Sequence, residues 1–284
     1  MLPVEAAVHD TPVLARLTPG RIHRNLSVPQ MVAVSLARGE SKLAANGALV
    51  AYTGARTGRS PKDRFIVQDD CTRETVKWGK VNQPLEPEKF DALYHRVLAY
   101  LANRDVYVQD LFAGADPHYQ MPVQIISEYA WQALFVHQLF LRPTPEELAT
   151  HVPEFTVIAV PEFEAVPERD GTRSSTAILL DFTRRIVLIV GTKYAGEMKK
   201  CIFSVLNFLL PQRDVFPMHC SANVGEEQAQ RLGQHRIHLR NWRGLVSRRR
   251  VGSPSDDVAF RDSSGSGCFS SHNHFPDHAR ARPR

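Results

Sequence analysis

The sequence predicts an α/β fold built on a mixed sheet, and three observations support it. Short apolar runs of strand length recur between turn residues, and longer stretches show helical spacing. The strands also outnumber a simple one-to-one alternation with helices, which points to a mixed rather than an all-parallel sheet. The pattern holds to about Glu227 and then stops. From Gln228 the chain is rich in Arg, Ser, His and Gly, with sparse apolar residues and no sustained period. Such a composition cannot bury enough surface to offset its ordering entropy, so a mostly disordered tail is expected.

Each element has its own signal. Val28 to Arg38 is expected to be a helix, with Pro29 suited to its first turn and Gly39 to its end. Gly47 to Tyr52 and Phe65 to Gln68 are short apolar strands. Glu86 to Asn103 places Phe90, Leu93, Val97, Leu98 and Leu101 at helical spacing, the mark of an amphipathic helix. Val123 to Ile126 reads as a strand, and Glu128 to Leu139 as a largely buried helix. Thr144, Pro145 and Glu147 form a capping box that opens a short helix. Thr156 to Val160 is a strand. Ala177 to Phe182 and Ile186 to Val190 follow as a hairpin turning through Thr183 and Arg184. Ala195 to Leu210 is a helix with Lys199 and Lys200 near its start.

The bulk numbers exclude several classes. With 284 residues, 43% hydrophobic and 23% charged, the chain is long enough for a substantial core. No stretch approaches the roughly 20 uninterrupted apolar residues that span a bilayer. The N-terminus lacks a signal-peptide pattern, and a cytosolic protein is expected. Cys71, Cys201, Cys220 and Cys268 form no C-x-x-C pair, which argues against a zinc site or disulfide framework and suits a reducing compartment. The net charge of +5 is unevenly placed. Residues 228–284 hold eleven Arg and four Asp, a net +7, so the first 227 residues carry 5 − 7 = −2. The basic excess sits in the tail, so the high pI is not evidence that the main body binds nucleic acid.

Three segments hold residues suited to anions or metals. Thr53-Gly-Ala-Arg-Thr-Gly-Arg-Ser-Pro-Lys-Asp63 combines glycines with Arg56, Arg59 and Lys62, donors for a carboxylate or phosphate. Gly191-Thr-Lys-Tyr-Ala-Gly-Glu-Met-Lys-Lys200 lies at a strand-to-helix junction. Met218-His-Cys-Ser-Ala-Asn-Val-Gly225 offers His219 and Cys220 as ligands. Taken singly, each has an equally simple structural reading: a solvated turn, an exposed first helical turn, a core histidine.

Taken together they are specific. TGxxTGRSPKD, DLFAGADPHYQMPVQIISEYAWQALF, PERDGTR, GTKYAGEMKK and PMHCSANVG occur here in the order found in ATP-dependent phosphoenolpyruvate carboxykinases. The resemblance runs from about Thr18 to Glu227. It implies an N-terminal domain over residues 1–214, the start of a nucleotide-binding C-terminal domain over 215–227, and a tail outside the family over 228–284. It also implies a reaction in which oxaloacetate and ATP give phosphoenolpyruvate, ADP and carbon dioxide, with ATP and Mn²⁺ (or Mg²⁺) as cofactors, in gluconeogenesis. By motif, Arg59 resembles the arginine that holds the substrate carboxylate or departing carbon dioxide, and Tyr194 the substrate-contacting tyrosine. Lys199 resembles the lysine near the transferred phosphoryl group, and Lys200 and His219 the two metal ligands, Lys200 touching substrate as well. An amine ligates a metal only when neutral, which requires cations nearby.

The resemblance has one gap. A P-loop is expected about 16 residues after the metal histidine, where this chain reads HRIHLRNWR (His235 to Arg243), and no G-K-[ST] ending occurs elsewhere. Family match, lysine, glutamate and hydrophobic periodicity all fade at one point, which reads as an out-of-frame tail beginning near Glu227. The expected consequence is a chain without carboxykinase activity. Two further readings stand beside this one: a regulatory or scaffolding pseudoenzyme, and a nucleic-acid-binding arm centred on Arg248 to Arg250, which no recognisable motif supports.

Overall fold

The computed structural model describes residues 13–17, 20–215 and 217, with the backbone of 221–224 and 237–240. The chain divides into two compact units, Met1–Ala113 with Met121–Ile202 and Gly114–Gln120 with Phe203–Arg284. The first unit opens with β1 (Ile22–Arg24), α1 (Val28–Ala37), β2 (Ser41–Leu43), β3 (Leu49–Ala51), β4 (Arg64–Val67) and β5 (Gln83–Leu85). There follow α2 (Pro87–Leu101), β6 (Val106–Ala113), β7 (Met121–Ser127), α3 (Ala130–Leu139), α4 (Pro145–Ala149) and β8 (Phe155–Val160). The unit closes with α5 (Pro167–Asp170), β9 (Ala177–Asp181), β10 (Ile186–Val190) and the beginning of α6 (Gly196–Leu209).

Eight strands form one sheet in the order β1-β6-β7-β8-β10-β9-β4-β5. The β6–β7 and β9–β10 pairs are antiparallel and the other neighbours parallel, so the mixed sheet expected from the sequence is present. Gly47 to Tyr52 does supply a strand, but β3 pairs with β2 in a separate two-stranded ribbon rather than joining the sheet. Pro84 sits in β5, an edge strand, where a missing N–H costs no ladder bond.

Side-chain alternation divides the core between the two faces of this sheet. On one face Phe90, Leu93, Tyr94, Val97 and Leu101 of α2 cluster with Val106, Val108, Ile126, Ile158, Leu179 and Leu188. On the other, Tyr107 of β6 packs with Met31 of α1 and with Ala130, Ala133 and Leu134 of α3. Adjacent positions on β6 thus serve opposite layers, as a period of two requires. Two helices begin at capping boxes. The Gln30 side chain accepts the Ser27 N–H at 2.9 Å, and Thr144 and Glu147 exchange bonds of 3.3 and 2.8 Å.

In the second unit the Arg213 guanidinium donates to the His118 carbonyl at 2.9 Å and lies 5.0 Å from the Tyr119 ring centre. Its described backbone includes β11 (Ser221–Val224), paired antiparallel with β12 (Ile237–Arg240). One short strand therefore falls within the segment read as tail, most of which lies outside the described residues.

Candidate active site

The segment Thr53–Asp63 leaves the β2–β3 ribbon and enters β4 of the main sheet, closing with a 3₁₀ turn over Pro61–Asp63. Two buried acids fix it. Asp63, 1% exposed, accepts hydrogen bonds from the Arg173 guanidinium at 2.9 Å and from the Ser174 hydroxyl at 2.8 Å. Arg56 lies 3.7 Å from the same carboxylate and donates to the Ser174 and Ser60 hydroxyls at 3.3 and 3.4 Å. The PERDGTR motif is thereby joined to the TGRSPKD motif across 110 residues of chain.

The second acid is Glu197, in the first turn of α6 and 3% exposed. Its carboxylate accepts the Ser60 backbone N–H at 2.6 Å. That bond ties the residue after Arg59 to the helical turn that continues into Lys199 and Lys200. Arg59 itself is exposed and makes no ion pair or hydrogen bond among the described residues. Lys199 and Lys200 are half-buried.

Arg64 begins β4 beside this contact. Its Nε is buried with no hydrogen-bond partner among the described residues. Burial holds its pKa below the ordinary guanidinium value, the Arg59 charge pushes the same way, and Cys201 and Glu197 oppose them. Cys201 is buried too, and its thiol is pushed up to about 12, first by burial and then by the Glu197 charge.

Gly191 carries the chain out of β10 with φ +66°, and its carbonyl accepts the Thr176 hydroxyl at 2.6 Å. Next, the Tyr194 N–H donates to Thr192 Oγ1 at 3.2 Å, and the Lys193 carbonyl accepts from the Gln132 amide at 3.0 Å. The Lys193 ammonium lies 2.7 Å from Glu162, which also bonds the Tyr129 hydroxyl. Tyr194 is half-buried against Gly196, where a Cβ would meet the ring at 2.6 Å.

Of the five residues expected at the site, the structure connects the segments bearing Arg59, Lys199 and Lys200 and sets Tyr194 on the same β10–α6 link. His219 lies outside the described residues. No group of three or more His, Cys, Asp or Glu suited to a metal occurs among the described residues. Sequence reasoning did not single out Asp63, Arg173 or Glu197. Their signal was present, since each acid is an isolated negative charge inside a basic motif.

The sequence profile described as phosphoenolpyruvate carboxykinase matches residues 20–232, five residues beyond Glu227. Phosphoenolpyruvate carboxykinase (ATP) 2 of Moorella thermoacetica is 57% identical over 212 residues, covering 75% of this chain and 40% of its own length. Phosphoenolpyruvate carboxykinase (ATP) 1 of the same organism is 58% identical with the same coverage. The Geobacillus kaustophilus enzyme of that name is 56% identical over 207 residues, 72% of this chain and 39% of its own. The chain thus spans about two-fifths of the length of these curated relatives. A profile matching three-quarters of the residues, with the same motifs joined in space by Asp63 and Glu197, places the chain in the ATP-dependent phosphoenolpyruvate carboxykinase family.

Proposed function

We propose that this chain supplies the substrate-carboxylate portion of a site that converts oxaloacetate and ATP to phosphoenolpyruvate, ADP and carbon dioxide. The observation that carries the reading is the pairing of an exposed, unneutralised Arg59 with a backbone held immediately after it, at Ser60 by Glu197 and at Asp63 by Arg173. A guanidinium carried on a held backbone can take a carboxylate in a two-pronged hydrogen bond. Tyr194 would contact the same substrate, and Lys199 would stand near the transferred phosphoryl group, where positive charge stabilises the transition state.

Lys200 and His219 would hold a divalent manganese or magnesium ion. Two nitrogen donors suit part of such a sphere, with carboxylate, phosphate or water oxygens completing it. When bound, the ion would stabilise the negative charge left on the enolate oxygen once the bond to carbon dioxide breaks.

We further propose that the 284-residue polypeptide by itself binds substrate carboxylates without turnover, because it contains no G-x-x-x-x-G-K-[ST] sequence to cradle a triphosphate. Calorimetric titration with oxalate, a planar dicarboxylate, tests the first half. Binding is expected for the parent chain and not for Arg59→Met, and equal binding by both would refute the role of Arg59. Phosphoenolpyruvate formed from oxaloacetate and ATP by the purified chain would refute the second half. The departure from the family after residue 232 is proposed to reflect a change of reading frame, which the downstream DNA would reveal as a P-loop encoded in another frame. No helix among the described residues is long and apolar enough to cross a membrane. A cytoplasmic, gluconeogenic enzyme without a nucleic-acid partner is the setting we propose for it.

A further inference from the structure

We infer that Glu197 is a positioning residue for Arg59: its buried carboxylate, by accepting the Ser60 N–H, sets where the Arg59 guanidinium stands relative to the lysine-bearing turn of α6. The inference rests on the reading of Arg59 as the carboxylate-binding group. Glu197 touches no substrate in that reading and acts through the backbone of the neighbouring residue.

The argument is one of geometry and charge. A carboxylate 2.6 Å from an amide nitrogen is at charge-assisted hydrogen-bond distance, and it is shielded from water at 3% exposure. Ser60 is itself buried at 7%, so its N–H has no solvent to fall back on. Arg59, one residue earlier, is exposed, and any movement released at Ser60 passes directly into it. Two other anchors flank it: Asp63 on Arg173 and Ser174, four residues beyond Arg59 and on the far side of Pro61, and Arg56, whose guanidinium reaches the Ser60 and Ser174 hydroxyls only at 3.4 and 3.3 Å. The first fixes the entry to β4 and the second holds side chains, so of the three the Glu197 bond is the one made directly to the backbone beside Arg59. A carboxylate at position 197 has a second conceivable role, as the counter-charge of buried Arg64. The two roles make opposite demands on the side chain. Positioning requires its length, whereas charge compensation requires its charge.

Glu197→Gln keeps the length and an acceptor oxygen but loses the charge, and Glu197→Asp keeps the charge but is one methylene short. Positioning predicts oxalate binding close to the parent's for Glu197→Gln and weaker by about tenfold or more for Glu197→Asp. Amide hydrogen exchange of Ser60 should remain slow in the first variant and become fast in the second. The reverse order, with Asp tolerated and Gln not, would overturn the inference in favour of charge compensation. Equal binding by both variants and the parent would overturn it outright. Loss of binding in Arg59→Met with full binding in Glu197→Asp sinks this inference alone. Full binding in Arg59→Met sinks the reading of Arg59 and this role for Glu197 with it. Both Glu197 variants retain a polar side chain of nearly native size, and thermal melts read any general loss of fold separately from oxalate affinity.

Discussion

Among the glycines of the described residues, Gly191 is the position where the backbone leaves least room for substitution, and Gly191→Ala is expected to destabilise the first unit by about 3 kcal/mol. Two costs add. With φ +66° the residue is left-handed, which costs a non-glycine residue about 1–2 kcal/mol. An added Cβ would also lie 2.4 Å from the Ser175 carbonyl oxygen and 3.0 Å from both its carbon and the Thr176 Cα. Those are backbone atoms held by the β9–β10 pairing of Val190 with Ala177, so no side chain can swing away. Relief means shifting the hairpin, at an overpacking cost of about 1–3 kcal/mol. Gly39 provides the control. Its φ is +68°, but nothing lies within 4 Å of its Cβ position, so Gly39→Ala should cost only the left-handed share, about 1 kcal/mol. Urea unfolding of both variants against the parent isolates the steric part as the difference in midpoint at constant m-value. Thermal melts should show a fall of about 6–12 °C for Gly191→Ala, at roughly 2–4 °C per kcal/mol. Equal destabilisation by the two alanines would refute the steric argument and leave φ as the whole effect.

Other consequences are as direct. Asp63→Ala removes the shared acceptor of Arg173 and Ser174 and should cost about 2 kcal/mol in urea unfolding, because the hydrogen bonds lost are charge-assisted. Iodoacetamide at neutral pH should modify Cys71, which is exposed, and spare Cys201, which is buried with its thiol pushed up to about 12; peptide mass mapping distinguishes them. At low pH, Asp110 should contribute to acid unfolding. Burial raises its pKa, but hydrogen bonds from Arg24 at 2.7 Å, Gln124 at 2.9 Å and Asn25 at 2.8 Å outweigh it and hold the carboxyl below its ordinary value. A depressed folded value means stability is present above about pH 4 and lost as pH falls through that folded value, so Asp110→Asn should flatten the acid limb of a stability–pH curve.

Two features that defeated the sequence reading, the centre of β6 and the acids of the site, share one property, buried polar groups. β6 (VYVQDLFA) escaped notice because Gln109 and Asp110 interrupt its apolar run, yet both are buried at 2%. Asp110 is tolerable there because Gln124 of β7 donates to it, and because Arg24 and Asn25, contributed from β1 and the residue after it, supply further donors across 85 or more residues. No local window contains that information. α2 was legible for the opposite reason. Its buried Phe90, Leu93, Val97 and Leu101 follow the helical period without a polar break, and the structure trims only its ends. At the site, basic and glycine-rich motifs announced Arg59, Lys199 and Lys200. The acids that organise them, Asp63 and Glu197, were in plain view within TGRSPKD and GEMKK, but their partners lie 110 and 137 residues away.

The charge balance explains why those acids matter more than their number suggests. Segments Thr53–Arg64 and Gly196–Lys200, with Arg173, hold seven cations and only two acids. Were either acid paired with Arg59, the arginine would be neutralised and its donors occupied. Instead Asp63 is committed to Arg173 and Ser174, and Glu197 to a backbone amide. Each acid is therefore committed to fixing geometry while leaving the Arg59 guanidinium unneutralised. Buried Arg64, its Nε without a hydrogen-bond partner among the described residues, adds to the local excess of positive charge. An exposed Arg59 left without a counter-charge by acids that are spent on structure is the group at which a carboxylate or phosphate gains most from binding.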